Sequence, residues 1–243
     1  MNLRFFSATG FSALALAASL SFISGCDQAP GASRAEVVER PDQITDFKTL
    51  YTQNCAGCHG NDGRNGAALA LSNPVYQAWV DDATLQRIIS QGEPPTQMPA
   101  FAQSSGGMLT DAQVDALVKG MRTAWPANGA FNGLTPPASQ PSGQSDAAQG
   151  QKTYQTACAQ CHSKPNQQVT DPTYLALVNN RTLRTLIVTG RPDLGHPDWR
   201  GVVNGQVQPG YPLNDQQVGD IIAYLNSLRS DTPGQPYSPH SQQ

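Results

Sequence analysis

Methionine is scarce in this 243-residue chain: the four stand at positions 1, 98, 108 and 121, and none follows. Charged residues make up only 14%, with a formal net charge of −3. Beyond residue 25 there are 14 basic and 18 acidic side chains. Such a chain offers no basic stripe to nucleic acid or to an anionic lipid surface. Long hydrophobic runs are lacking too. The mostly apolar stretch Phe11 to Ile23 is too short and too interrupted for a good membrane span. Strand-like alternation of apolar and polar residues is missing, which argues against a fold built on half-buried sheets. Cysteine is sparse. Four of the five lie in two tight pairs, and Cys26 stands alone.

The pairs sit in Cys55-Ala56-Gly57-Cys58-His59 and Cys158-Ala159-Gln160-Cys161-His162. Both read Cys-x-x-Cys-His, the attachment signature of a c-type haem. Two thiols three positions apart can add to the vinyl groups on one porphyrin edge. The next residue then sets an imidazole under the iron as proximal ligand. A zinc site would need both pairs to share one ion, yet about a hundred residues separate them. A thiol redox pair needs no histidine after its second cysteine. The spacing implies two covalent haems on Cys55, Cys58, Cys158 and Cys161, with His59 and His162 on the irons.

Residues 1–25 hold one basic residue (Arg4) and no acid, the layout of an export signal. They close on Ile23-Ser24-Gly25 before Cys26, which resembles the lipobox of bacterial lipoproteins. The resemblance implies cleavage before Cys26 and lipidation of that cysteine. Several acyl chains, at about 0.8 kcal/mol per buried methylene, give stable anchoring. Lipidation would also account for an unpaired cysteine in an exported protein. Asp27 matches that family's inner-membrane retention mark. The expected location is the periplasmic side of a bacterial membrane, with the inner membrane favoured.

An internal repeat sets the domain plan. Tyr51-Thr52-Gln53-Asn54-Cys55 matches Tyr154-Gln155-Thr156-Ala157-Cys158, and Asn73-Pro74-Val75-Tyr76 matches Asp171-Pro172-Thr173-Tyr174. The second match runs without a gap through Gly92/Gly190, Pro94/Pro192 and Pro99/Pro197. Units this short bury a marginal core alone; a flat, largely apolar haem can complete it. The expected boundaries are a signal at 1–25, a tether at 26–45, domains at 46–125 and 146–231, and a loose tail from 232. Between the domains, residues 126–145 are rich in Pro, Gly and Ser and read as an extended linker. Apolar stripes predict helices after Thr110/Asp111 and Asn214/Asp215, and around 82–90 and 180–189. Gly92 and Gly190 serve as terminators.

Each half resembles a small class I cytochrome c domain, in which the first and last helices cross closely. The family often carries Gly-x-x-x-aromatic on the first helix, and Gly150-Gln151-Lys152-Thr153-Tyr154 fits. The first half has Phe47 in place of Gly150, and Gly120 in place of Tyr224. The swap predicts Phe47 over Gly120 and Gly150 under Tyr224. The expected architecture is all-α: two tandem cytochrome c-like helical domains.

A second axial ligand is then required on each iron. Met98 precedes proline, as that family's distal methionine commonly does. Met121 lies on an apolar stripe and reads as core filler. The second half has no methionine, and the register places His196 opposite Met98, again before a proline. His/Met ligation is expected at the first haem and bis-histidine at the second, which gives the first the higher potential. With both irons closed, the chain reads as an electron-transfer protein rather than an enzyme. Its partners would be respiratory or photosynthetic redox proteins, with basic docking surfaces steered to the acidic first half. The alternatives are a di-haem peroxidase-like enzyme and a fixed haem subunit of a larger oxidoreductase. Arg64, Arg181, Arg184, Arg191 and Arg200 could neutralise haem propionates, but a solvated surface fits most of them better and none is assigned; Trp79, Trp199 and Phe101 read as pocket packing.

Overall fold

Local sequence sets the helix starts. In the computed structural model, which describes residues 39–164 and 169–230, aspartate, asparagine or threonine caps each longer helix. The first lobe contains α1 (Phe47–Asn54), α2 (Ala56–His59), α3 (Pro74–Trp79), α4 (Asp82–Gln91) and α5 (Asp111–Ala124). The second contains α6 (Ala147–Ala157), α7 (Ala159–His162), α8 (Pro172–Ala176), α9 (Asn180–Thr189) and α10 (Asp215–Ser227). Asp46, Asp81 and Asn179 accept from the amides of Thr49, Thr84 and Thr182 at 2.8, 2.7 and 2.8 Å. Both last helices open on a reciprocal capping box, Thr110 with Gln113 and Asn214 with Gln217. Each such cap stabilises its helix by about 1 kcal/mol.

The architecture is all-α. Its one strand pair among the described residues, β1 (Val202–Val203) with β2 (Gln206–Val207), is antiparallel with Val202 opposite Val207. Two-residue strands are too short to leave a periodic signal. The lipobox with Cys26, most of the 26–45 tether and the 232–243 tail lie outside the described residues. Among those described, no helix is long and apolar enough to cross a membrane.

The predicted stripes form the cores. On α5, Val114, Leu117, Val118 and Met121 are buried with Leu50 and Tyr51 of α1. On α10, Val218, Ile221, Ile222 and Leu225 are buried with Tyr154 and Ala157 of α6. Met121 is 3% exposed, in keeping with a packing role. The crossing in the first lobe obeys the swap. A Cβ on Gly120 would run into the Phe47 ring, as the small-large pairing requires. Gly150 instead presses on the Asp220 backbone, so α6 and α10 meet main chain to main chain. Tyr224 packs on Tyr154, ring centres 5.4 Å apart.

Residues 126–145 run through turns at 128–133 and then irregular chain, and they are fastened down. Trp79 Nε1 donates to the Pro137 carbonyl at 2.7 Å, Arg184 Nε to Ala138 at 2.7 Å, and Arg200 to Ala130 at 3.1 Å. Asp215 accepts from the amides of Ala138 and Ser142. The lobes also touch directly. Asn73 Nδ2 donates to the Thr189 carbonyl at 2.7 Å, and Asn179 Nδ2 to Glu93 at 2.8 Å. Val75 and Trp79 of the first lobe join the apolar cluster of the second.

Candidate haem sites

Both attachment motifs are built alike. Helix α1 stops at Cys55, whose amide still donates to Tyr51, and α2 restarts at once, the His59 amide donating to Cys55 at 3.0 Å. In the second lobe Cys158 donates to Tyr154, and His162 to Cys158 at 3.0 Å. The outer cysteines, Cys58 and Cys161, are exposed; Cys55 and Cys158 are half-buried. Burial, then the neighbouring cysteine, pushes the Cys55 and Cys158 thiols up to about 12.

His59 is 7% exposed, and its Nδ1 lies 2.8 Å from the Leu69 carbonyl. That carbonyl fixes the ring and the tautomer, leaving Nε2 as the available donor, as is usual for a metal-bound imidazole. Burial, more than the nearby Arg191 charge, keeps this ring below its ordinary pKa and so neutral.

The loops carrying the two expected distal residues share one construction. Glu93 N donates to Met98 O at 3.1 Å, and Arg191 N donates to His196 O at 3.0 Å, 98 positions later in both partners. Phe101 O accepts from Leu109 N and Trp199 O from Leu213 N, both at 2.8 Å. Gly92 ends α4 at φ +74° and Gly190 ends α9 at φ +69°. A Cβ on Gly92 would sit 2.8 Å from Pro99 C, and one on Gly190 would sit 2.6 Å from Pro197 C. Each of these loops is thus pressed onto the end of the preceding helix where only glycine leaves room. Met98 is half-buried in its loop, while Met108 is 79% exposed.

In the second lobe the structure brings the His162 and His196 rings close together at the wall of one cavity. Their ring centres are 5.9 Å apart and their planes tilted by 48°. An ion bonded to one nitrogen of each ring at the ~2 Å of metal–imidazole bonds would part the centres by about 6 Å. His196 Nδ1 is buried without a hydrogen-bond partner. Burial, and then the His162 charge, lowers the His196 pKa to about 4, which leaves the ring neutral. The cavity is about 240 Å³, with Leu183, Leu186, Ile221 and Leu225 among its apolar walls. A mostly apolar slot lined by His162, His196 and Cys158 fits a covalently held haem.

Some sequence expectations need correction. Trp79 packs at the lobe boundary, against the apolar cluster of the second lobe. Trp199 lies between Phe131, at 5.7 Å, and the Arg200 guanidinium, at 4.8 Å, away from the cavity wall. Arg181 pairs with Glu93, Arg184 with Asp215 and Arg200 with Asp198. Of these arginines, Arg191 lines the cavity, together with the unpartnered Tyr154 hydroxyl. Its register position opposite Glu93 could have singled it out.

Residues 42–119 match the family model "Cytochrome C oxidase, cbb3-type, subunit III", and residues 147–229 match "Cytochrome c". The cbb3-type cytochrome c oxidase subunit FixP of Bradyrhizobium sp. is 29% identical over 222 residues, 81% of this chain and 66% of that protein. Dihydro-haem d1 dehydrogenase of Pseudomonas aeruginosa is 39% identical over 71 residues, 29% of this chain and 13% of that protein. The chain therefore spans less than two thirds of either relative. A chain of the Kuenenia stuttgartiensis reducing HAO-like protein complex superposes with a TM-score of 0.39 at 19% identity, covering 79% of this chain and all of its own. With both halves matched by cytochrome c domains and both attachment motifs in place, the chain is a di-haem class I c-type cytochrome carrying two covalently bound haems.

Proposed function

We propose that this cytochrome passes electrons between redox proteins on the periplasmic side of a bacterial membrane, tethered through a lipid on Cys26. In this reading His59 and Met98 would hold the first iron, and His162 and His196 the second. A c-type haem supplies reversible one-electron exchange between ferric and ferrous iron. The polypeptide supplies the ligands, keeps the His59 and His196 rings neutral by burial, and excludes water with apolar walls. The observation that carries the reading is the 5.9 Å approach of His162 and His196, in a loop built like the one holding Met98.

Sulfur at one iron and a second imidazole at the other set two potentials apart, because thioether ligation favours the reduced metal. Electrons entering at the second haem would leave by the first. The test is magnetic resonance of the oxidised protein with potentiometry of His196→Met. Two distinct ligand signatures, and a lower wave that moves upward in the variant, are expected. One signature, or an unmoved lower wave, would refute the ligand assignment.

A second reading has its own support. The similarity to an oxidase subunit over 222 residues favours a chain held within a larger oxidoreductase instead of a free shuttle. Co-purification with a partner complex after mild detergent extraction would decide for it; recovery as a lone cytochrome would decide against. Rapid carbon monoxide binding or peroxide turnover would move the reading towards catalysis.

A further inference from the structure

One ion pair stands between the two sites and neither ligand set uses it. Arg191 and Asp193 are paired through two hydrogen bonds, at 2.9 and 2.8 Å, with side chains only 10% and 4% exposed. The pair belongs to the second lobe but reaches into the first. Arg191 donates to the Gly66 carbonyl at 2.9 Å, and Asp193 accepts from the Asn65 amide at 2.8 Å. Gly66 in turn lies against the Cys58 and His59 backbone, so closely that a Cβ there would overlap it. On its other side Arg191 exchanges both backbone hydrogen bonds with His196, each at 3.0 Å, and lines the cavity with it.

From this placement we infer that Arg191 and Asp193 form a charge bridge that tunes both haems at once and locks the first attachment loop to the second distal loop. A guanidinium held out of water, bonded to Gly66 of the first attachment loop and lining the cavity with His196, opposes the gain of positive charge when either iron is oxidised. It therefore raises both potentials, and Asp193 offsets part of that effect. Asp193 remains charged: its bonds from Arg191, and then from the Asn65 amide, keep its carboxyl below the ordinary range. A surface arginine would be screened by salt; this one is screened much less.

The inference rests on both lobes carrying haem, and on charge rather than on the identity of the distal ligands. Haem counting on each variant separates loss of a cofactor from loss of the bridge. Magnetic resonance of the parent protein reports on the ligands independently. The experiment is potentiometry of the full chain in Arg191→Gln, Asp193→Asn, the double variant and Arg191→Lys. Arg191→Gln is expected to lower both waves, shifting each reduced-to-oxidised ratio about tenfold at a fixed potential, or about 59 mV. Asp193→Asn should move both waves the other way, and the double variant should fall between the singles. Arg191→Lys, which keeps the charge but not the fork, should lie near the parent and covers the case in which glutamine fails to fold. Shifts of the same sign in Arg191→Gln and Asp193→Asn would mark simple loosening and overturn the proposal. So would a shift confined to one wave, or no shift.

Discussion

The glycine at the end of α9 is where the fold and the second haem site can be pulled apart by one methyl group. Gly190 has φ +69° and ψ −174°, a conformation that essentially only glycine adopts. A Cβ there would lie 2.6 Å from the Pro197 carbonyl carbon and 2.7 Å from Asp198 N, both rigid backbone. Gly190→Ala therefore adds two costs. Backbone strain contributes about 1–3 kcal/mol, and forcing the loop away contributes about 1–3 kcal/mol more. The sum, about 2–6 kcal/mol, is a large part of the stability of an ordinary domain, about 5–15 kcal/mol. Gly195 provides the control. It has φ +79° in the same loop, but nothing lies within 4 Å of its Cβ position. Gly195→Ala should carry only the left-handed penalty, about 1–2 kcal/mol. Urea unfolding of both variants, followed by haem absorbance, measures the difference. The displaced loop carries His196, so Gly190→Ala alone should also open the second ferrous iron to carbon monoxide. If both alanines cost the same and neither protein binds carbon monoxide, the close approach at Gly190 does not hold the loop.

Three further outcomes follow from particular contacts. Gly120→Ala should cost about 1–3 kcal/mol in chemical denaturation, because its methyl would overlap the Phe47 ring. A Phe47→Leu background should recover part of that cost. Asn73→Asp keeps the oxygen that caps α3 but loses the amide that donates to Thr189 across the lobe boundary. It should cost about 1–3 kcal/mol, and calorimetry should show the lobes beginning to melt apart; an unchanged single transition would refute this. Asp193 titrates below its ordinary value in the folded protein. Its contribution to stability is present above the unfolded carboxyl value, about 3.9, and is lost as the pH falls through the lower folded value. The denaturation midpoints of the parent and Asp193→Asn should therefore differ near neutrality and converge on acidification; parallel curves would count against the ion pair.

What could be read from the sequence was whatever local chemistry decides. The attachment motifs need only a five-residue spacing. The last helices announce themselves by Thr110 and Asn214 ahead of apolar stripes, and Asn180–Thr189 matches its predicted span. The Phe47–Gly120 pairing was legible because an aromatic-for-glycine exchange in one helix was mirrored in the other. Gly150 shows the limit. Its contact is with the Asp220 main chain, and no side-chain pattern encodes a backbone neighbour. Composition also hid the fastening of residues 126–145. Their Pro, Gly and Ser content tells of extension, whereas the anchors Trp79, Arg184 and Asp215 come from distant helices. Arg191 was one of five arginines of equal promise until the fold placed it against Gly66.

The two halves differ most usefully at one register position. Glu93 and Arg191 both follow the glycine that ends a helix, and both donate their amide to the carbonyl of the expected distal ligand. Each also reaches the opposite lobe: Glu93 meets Asn179 and Arg181, and Arg191 meets Gly66. Had the repeat kept one residue type at both positions, one of these contacts would fail. An arginine at 93 would face Arg181, and a glutamate at 191 would turn a carboxylate towards the Gly66 carbonyl. Like charges or paired acceptors out of water are destabilising, while donor against acceptor is favourable. Opposite charges at equivalent positions therefore make two similar lobes complementary instead of self-repelling. Because both residues sit at the base of a ligand loop, docking of the lobes and positioning of those loops depend on the same few hydrogen bonds.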